Sequence, residues 1–374
     1  MVISRRSAGA AGGKLCAALG LLTCIALAAC GGNATSSSGS SAPASTAARA
    51  SGAASPAGSG ASSNVTINLY NGQHASTTNA LVAGFTKQTG IKVQVRSAGG
   101  SGLANQIIEE GSSSPADVVY AENSPELMIL EEKGLLASVN PDTLARVPSQ
   151  YNSPTGKWVG VAARAAVLAY NPDLLPQDQL PKSILDLAKP NWQGKIALAP
   201  TESDFQPVIS AVMKLNGQDA AKQWLEGLKR NGKTFNGNTA ILTAVNNGQI
   251  AAGLINNYYW FRQADQAGGP AKMKAQLYYF GNQDAGALVD VSPVGALASS
   301  KHPAEAQRFM AYLVSPEGQQ ILVDSKDYEY PLAIGAKADP ALKPLADLAA
   351  PNVTVADLGD GRAAVQLEQQ VGLL

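Results

Sequence analysis

From Val65 to Leu136 the sequence changes period in a fixed rhythm. This rhythm constrains the fold more than any other feature. Short stretches with a two-residue hydrophobic repeat alternate with longer stretches of helical period. In "NVTINLYNGQH" Val65, Ile67 and Leu69 face one way, as in a strand ending near Tyr70. "TTNALVAGFTKQTG" follows as an amphipathic helix stopped by Gly90. "IKVQVRSAG" is a second strand, "SGLANQIIEEG" a helix ending near Gly111, and "ADVVYAE" a third strand. "SPELMILEEKGLL" then opens a helix, with Ser124 as its N-cap and Pro125 at the first helical position. The order β-α-β-α-β-α predicts a parallel sheet covered by helices.

The rest of the chain repeats the scheme. "KWVGVAARAAVLAYN" predicts a long buried strand crossing between two lobes. A second α/β set runs through "GKIALAP", "DFQPVISAVMKLNG", "DAAKQWLEGLKRNG", "NTAILTAVNNG" and "IAAGLINN". "GALVDVSPVGALAS" is the return strand, and "HPAEAQRFMAYLVSPEGQQILVDS" is mainly helical, with His302 at the entry to a surface helix. A body of this length suggests two lobes. The N-terminal lobe takes 64–163 and 288–338, the C-terminal lobe 164–287 and 339–374. Facing α/β lobes leave a cleft walled by loops at the carboxyl ends of their strands.

The first sixty or so of the 374 residues do not belong to this pattern. Residues 1–29 have the parts of a secretory leader: basic Arg5, Arg6 and Lys14, an apolar run from Leu15 to Ala29, and small residues before a break. The run ends in "LAAC", which resembles a lipobox with Cys30 as the lipidated first residue of the mature chain. Residues 30–63 are dominated by Ser, Ala, Gly and Pro and predict a tether without a core. The protein is therefore expected to be extracytoplasmic and lipid-anchored to the membrane. All three cysteines, at 16, 24 and 30, fall in this leading stretch, so the body must hold together by its core. Basic and acidic residues balance at 28 each; without the leader's three cations 25 stand against 28, a charge of −3. No basic stripe appears, which argues against nucleic acid as a partner.

Where three strands end, the sequence places chemistry. His74 follows the first strand and Glu122 the third. Tyr258 and Tyr259 follow "IAAGLI", where a helix begins. Phenolate and carboxylate oxygens are hard ligands suited to Fe3+, and imidazole serves iron as well. Two phenolates and a carboxylate would balance three positive charges, and neutral His74 would add a fourth donor. Two of six octahedral positions would remain for water or a small anion. Each residue also has a plainer reading: a surface histidine, a helix N-terminal glutamate, and aromatic packing.

The quoted stretches resemble the ferric-ion-binding proteins of bacterial ABC importers, the bacterial transferrins. "YNGQH", "SPADVVYAE" and "LINNYYW" carry the similarity in order. "GFTKQTGIKV", "IIEEGSSSPADV", "PNWQGKIALAPT", "QWLEGLK", "AVNNGQI", "SPEGQ" and "EYPL" extend it through nearly the whole body. The resemblance implies a type II periplasmic-binding-protein fold: two α/β lobes joined by crossover strands around a central ligand cleft. It implies His74, Glu122, Tyr258 and Tyr259 as metal ligands, and an ABC transporter permease as partner to a monomeric binding protein. It also implies a synergistic anion such as carbonate, phosphate or citrate. Asn123, Ser203, Asn238, Asn256 and Arg262 are the residues expected around that anion or behind the ligands. Arg164, in the crossover stretch, is a further cation facing the cleft. The chain departs from the family at "PTESDF", where Glu202 and Asp204 would repel an anion. Two other functions stay open. One is a binding protein of the same fold for a small organic cation, caged by Tyr258, Tyr259 and Trp260, or for an anion. The other is an anchored enzyme, against which stands the lack of G-x-S-x-G, S-x-x-K and H-E-x-x-H patterns.

Overall fold

The computed structural model describes residues 65–374. The leader 1–29, Cys30 and the tether 30–63 lie outside the described residues.

The first four strands are β1 (Thr66–Asn71), β2 (Lys92–Ser97), β3 (Val118–Tyr120) and β4 (Val159–Tyr170). After them come β5 (Ile196–Leu198), β6 (Gly232–Thr234), β7 (Ala252–Asn256), β8 (Gln276–Tyr278), β9 (Val289–Ala296) and β10 (Tyr330–Pro331). The first helices are α1 (Ala75–Thr89), α2 (Gly100–Glu110), α3 (Ser124–Glu132) and the short α4 (Pro141–Leu144). α5 (Phe205–Asn216), α6 (Gln218–Asn231), α7 (Asn238–Asn246) and α8 (Asn257–Gln266) serve the second half. α9 (Pro303–Leu313), α10 (Pro316–Asp324), α11 (Val355–Leu358) and α12 (Arg362–Val371) complete the chain.

The main path through the sheet runs β2-β1-β3-β9-β4-β7-β5-β6, with β8 and β10 also pairing with β4. The predicted parallel sets exist on both sides: β1 lies parallel to β2 and β3, and β5 parallel to β6 and β7. The sheet as a whole is mixed, because the two strands between these sets are antiparallel to their neighbours. β4 joins the halves. Its residues Val159–Ala165 pair with β9, and Ala166–Tyr170 pair with β7 and β8. All twelve residues of β4 are buried, as the long apolar run predicted. One core cluster gathers Leu69, Phe85, Trp158 and Phe309; a second gathers Trp192, Trp224, Ile209 and Leu367.

Most predicted elements form where their patterns end. Gly90 closes α1 in the left-handed conformation, φ 74°, as a glycine can without strain. His302 is the N-cap of α9. At α3 the N-cap is Asn123, not Ser124; the Asn123 amide donates to Glu126 Oε2 at 3.0 Å in the manner of a capping box. Ser124 lies one position inside, and its hydroxyl donates to Asp290 Oδ1 at 2.7 Å.

A candidate metal centre at four strand ends

The parallel strands of both halves deliver side chains from their carboxyl ends to one place. The turn after β1 brings His74, the N-cap of α1. The turn after β3 brings Glu122, just before α3. β7 runs directly into α8, whose N-cap is Asn256 and whose first turn carries Tyr258 and Tyr259. The loop after β5 brings Asp204, the N-cap of α5. Asp204 makes no capping bond with its side chain, so its carboxylate is free to face the phenols. Helix N-termini at each approach favour negative charge on these groups.

The four predicted ligands stand together. Tyr258 Oη donates to Glu122 Oε1 at 2.7 Å, and His74 Nε2 lies 3.6 Å from the same oxygen. The imidazole meets the Tyr258 ring edge-on, with centroids 4.8 Å apart. Tyr258 and Tyr259 stack at 4.2 Å, so both phenols lean over the start of α8. Asp204 completes the group: Tyr259 Oη reaches its Oδ2 at 3.3 Å and Tyr258 Oη at 3.5 Å. Among the described residues no set of three His, Cys, Asp or Glu side chains is arranged to hold a metal; the convergent donor set depends on the phenols.

The two carboxylates of "PTESDF" separate, and Asp204 is the one that faces the phenols. Its side chain is 8% exposed and lies within the donor set, accepting from Asn238 Nδ2 at 3.0 Å. Glu202 does not join it and lies instead against Gly237 at the head of α7. Asn123 donates to Ser203 Oγ at 3.0 Å, tying the head of α3 to the loop before α5. Asn256 lines a cavity of about 20 Å³ with Asp204 and Asn238. Its neighbour Asn257 makes the stronger contribution: fully buried, it accepts from the Ala165 amide at 2.8 Å and fixes α8 to β4.

Arg164 is 1% exposed and serves as the cation of the site. It donates to the Glu122 carbonyl, to Asn123 Oδ1, to Ser292 Oγ at 3.1 Å and to Asp290 Oδ2 at 2.8 Å. Its Nε faces Asp204 Oδ1 at 4.0 Å. Burial works against this charge, but Asp290, Asp204 and Glu122 hold the guanidinium protonated. Arg262 lies behind the histidine side: its Nε is 3.5 Å from Asp327 Oδ1. Sequence reasoning missed Asp327 and Glu329, which back the histidine side. Glu329 accepts from Gln73 Nε2 at 3.1 Å. Glu329 opens the "EYPL" stretch and Asp327 stands two residues before it, both far along the chain from Gln73 and His74.

Burial, then the carboxyls Asp204 and Glu122, raise both tyrosine pKa values. Burial, then Glu122, pushes Asp204 up to about 7, with Arg164 opposing. Burial pushes Glu126, behind the head of α3, up to about 8. The group thus holds protons that a cation of high charge would displace. The aromatic cage considered for an organic cation does not form. Trp260 turns away, donating its indole N–H to the Ala275 carbonyl at 2.7 Å and packing edge-on against Phe261.

The sequence matches the bacterial extracellular solute-binding protein family over residues 71–320. It is 44% identical over 313 residues to the Fe(3+)-binding periplasmic protein of Serratia marcescens, covering 84% of this chain and 92% of that one. It is 40% identical over 309 residues to the major ferric iron-binding protein of Neisseria meningitidis serogroup B, covering 82% and 93%. Iron-bound HitA from Pseudomonas aeruginosa superposes with a TM-score of 0.79 at 47% identity, covering 82% of this chain and 99% of that one. A Trichodesmium protein (IdiA, FutA) in complex with iron and citrate superposes with a TM-score of 0.72 at 31% identity, again covering 82% and 99%.

Proposed function

The chain belongs to the bacterial extracellular solute-binding protein family, and from that premise we propose that it captures Fe3+ in its interlobe cleft and hands it to an ABC importer. One observation carries this reading. Five donor groups from four strand ends stand 2.7–3.6 Å from their neighbours in the set. Ligands held about 2–2.2 Å from a single ion in neighbouring octahedral positions are separated by about 3 Å. The donors are phenols, carboxylates and one imidazole, the set that suits a hard trivalent ion.

In this reading His74, Glu122, Tyr258 and Tyr259 bind the metal, and Asp204 is a fifth donor from the loop after β5. Two phenolates and two carboxylates would carry four negative charges against three on the ion, with Arg164 behind them as a balancing cation. A further anion would meet Asp204 in the sector where Asn238, Ser203 and Asn123 lie. Water or one small oxygen ligand would fill the sixth position. Citrate accompanies iron in the Trichodesmium relative, so this position is where carbonate, phosphate or citrate would compete.

The lobes would be 64–163 with 288–338, and 164–287 with 339–374. Binding would close them about the β4 crossing, with His74 and Glu122 on one wall and Asp204 and the tyrosines on the other. The protein would then act by binding and release rather than by turnover. No helix among the described residues is long and apolar enough to cross a membrane. Once the leader is removed, a lipidated Cys30 would supply the anchor, with 31–63 as tether, and the monomer would meet the permease outside the cytoplasm.

A direct test removes bound metal and measures uptake in the presence and absence of carbonate, phosphate and citrate. Stoichiometric, product-free uptake of Fe3+ supports the reading. Preference for an organic cation, or none for iron, would sink it.

A further inference from the structure

A histidine that gives Nε2 to a metal must carry its proton on Nδ1, and that proton needs an acceptor. His74 Nδ1 is buried and makes no hydrogen bond among the described residues. The carboxylate in reach is Asp327, whose Oδ2 lies 3.8 Å away and whose side chain is 6% exposed. A small rotation of the ring closes that gap to a hydrogen bond. Asp327 is itself held firmly. It accepts from Ser76 Oγ at 2.9 Å and from Thr77 Oγ1, both in the first turn of the helix that His74 caps.

The same carboxylate faces the other wall. Its Oδ1 lies 3.5 Å from Arg262 Nε, one turn along α8 from Tyr258 and Tyr259. The residue that follows Asp327 is docked on that helix. Tyr328 stacks on Phe261 with centroids 5.2 Å apart, donates its hydroxyl to Asp265, and accepts at its carbonyl from Asn257 Nδ2 at 3.3 Å. Lys326 and Tyr328 both adopt left-handed backbone conformations, φ 58° and 55°. Side chains other than glycine seldom do so, and such a turn persists only where its surroundings dictate it. Here the surroundings are α8 on one side and the head of α1 on the other.

We propose that Asp327 is a positioning residue for the metal site: it accepts a hydrogen bond from the Nδ1–H of His74, so presenting Nε2 to the ion, and ties this orientation to the docking of the tyrosine-bearing helix through Arg262. The proposal rests on the ferric reading above. It assigns Arg262 a role through Asp327 rather than as a ligand to an anion.

The test is a double-mutant cycle on iron affinity, measured by competition with a chelator in the full chain. Asp327→Ala should weaken binding by about 10- to 100-fold, the usual cost of losing a partner of a metal-bound histidine. His74→Ala should weaken it too, and the double variant should be no weaker than His74→Ala alone. The phenolate-to-iron absorption band should keep its wavelength in Asp327→Ala, since the tyrosines remain bound. If Asp327→Ala does not fold, Asp327→Asn replaces it, keeping shape and one acceptor oxygen; its smaller loss should also vanish in the His74→Ala background. An equal loss from the Asp327 substitution with and without His74, or no loss at all, overturns the proposal. Absence of any iron band in the wild-type protein would instead overturn the ferric reading on which it stands.

Discussion

A buried phenol and a half-buried one, beside two carboxyls, hold their protons firmly until something with more charge arrives. Tyr258 and Tyr259 are protonated throughout the neutral range, and Asp204 titrates near 7. Binding Fe3+ must therefore release about two to three protons. Since protons are products of binding, affinity falls as pH falls, by about a hundredfold or more per unit between pH 7 and 6. A competition titration across that range, corrected for the chelator's own protons, checks the slope. A slope near zero would mean that the phenols do not bind as phenolates. Asp204→Asn makes a second test at this scale. Losing the fifth donor should weaken iron binding by about tenfold or more and leave affinity dependent on added carbonate or phosphate. Unchanged affinity without added anion would remove Asp204 from the donor set. His74, Glu122, Tyr258 and Tyr259 were legible in the sequence because each follows a strand whose end the period change marks. Asp204 was visible only as a carboxylate an anion would avoid, since spacing does not say that the N-cap of α5 turns toward the phenols. Asp327 was not legible as a partner of His74, because nothing local connects two residues that meet only when the chain has returned to the first half.

At the scale of elements, packing rather than chemistry decides. The helix α6 passes so close to the Ile184–Ala188 turn that a Cβ at Gly227 would fall 2.8 Å from the Ala188 carbonyl oxygen. Gly227→Ala should destabilise the protein by about 1–3 kcal/mol, read by denaturant melting, while leaving the iron band unchanged. The last helix carries a different liability. Glu368 on α12 is fully buried and neither carboxyl oxygen has a hydrogen-bond partner among the described residues. Burial pushes its pKa up to about 8. The folded state thus keeps a proton that the unfolded chain loses near the ordinary glutamate value. Stability from this group is greatest below that value and drains away as pH rises to about 8. Glu368→Gln should abolish the decline, gaining on the order of a few kcal/mol at pH 8.5 relative to the parent and much less at pH 4.5. Melting temperatures at the two pH values decide it; an equal shift at both would mean that the carboxyl is not a buried acid. The regular elements were legible because their periods are strong. The short strands β6, β8 and β10 were not, being two or three residues set by pairing with β4 or β5 rather than by a pattern of their own. The cap of α3 moved one residue because Asn123 competes with Ser124 for the same role, and Asp290 takes the serine hydroxyl.

Across the whole molecule, the parallel sets were predictable from alternation, whereas the mixed sheet was not. Alternation cannot show that β9 returns beside β3 or that β4 changes partners at Ala165 and Ala166. That change of partners places the two halves so that four strand ends share one cleft. Arg164 lies on β4 just before the change, joined to Glu122, Asn123 and Asp290 and facing Asp204. The cation that offsets the donors therefore sits on the strand about which the lobes would close, and metal binding and closure are expected to occur together. The central claim is that the two tyrosines clamp Fe3+. It is tested most directly by adding Fe3+ to the metal-stripped protein and following visible absorption, beside the double variant Tyr258→Phe/Tyr259→Phe. A phenolate-to-iron band should grow to a single equivalent in the parent and be absent from the variant. A parent that stays colourless with or without carbonate, phosphate or citrate, or a variant that colours equally, would contradict it.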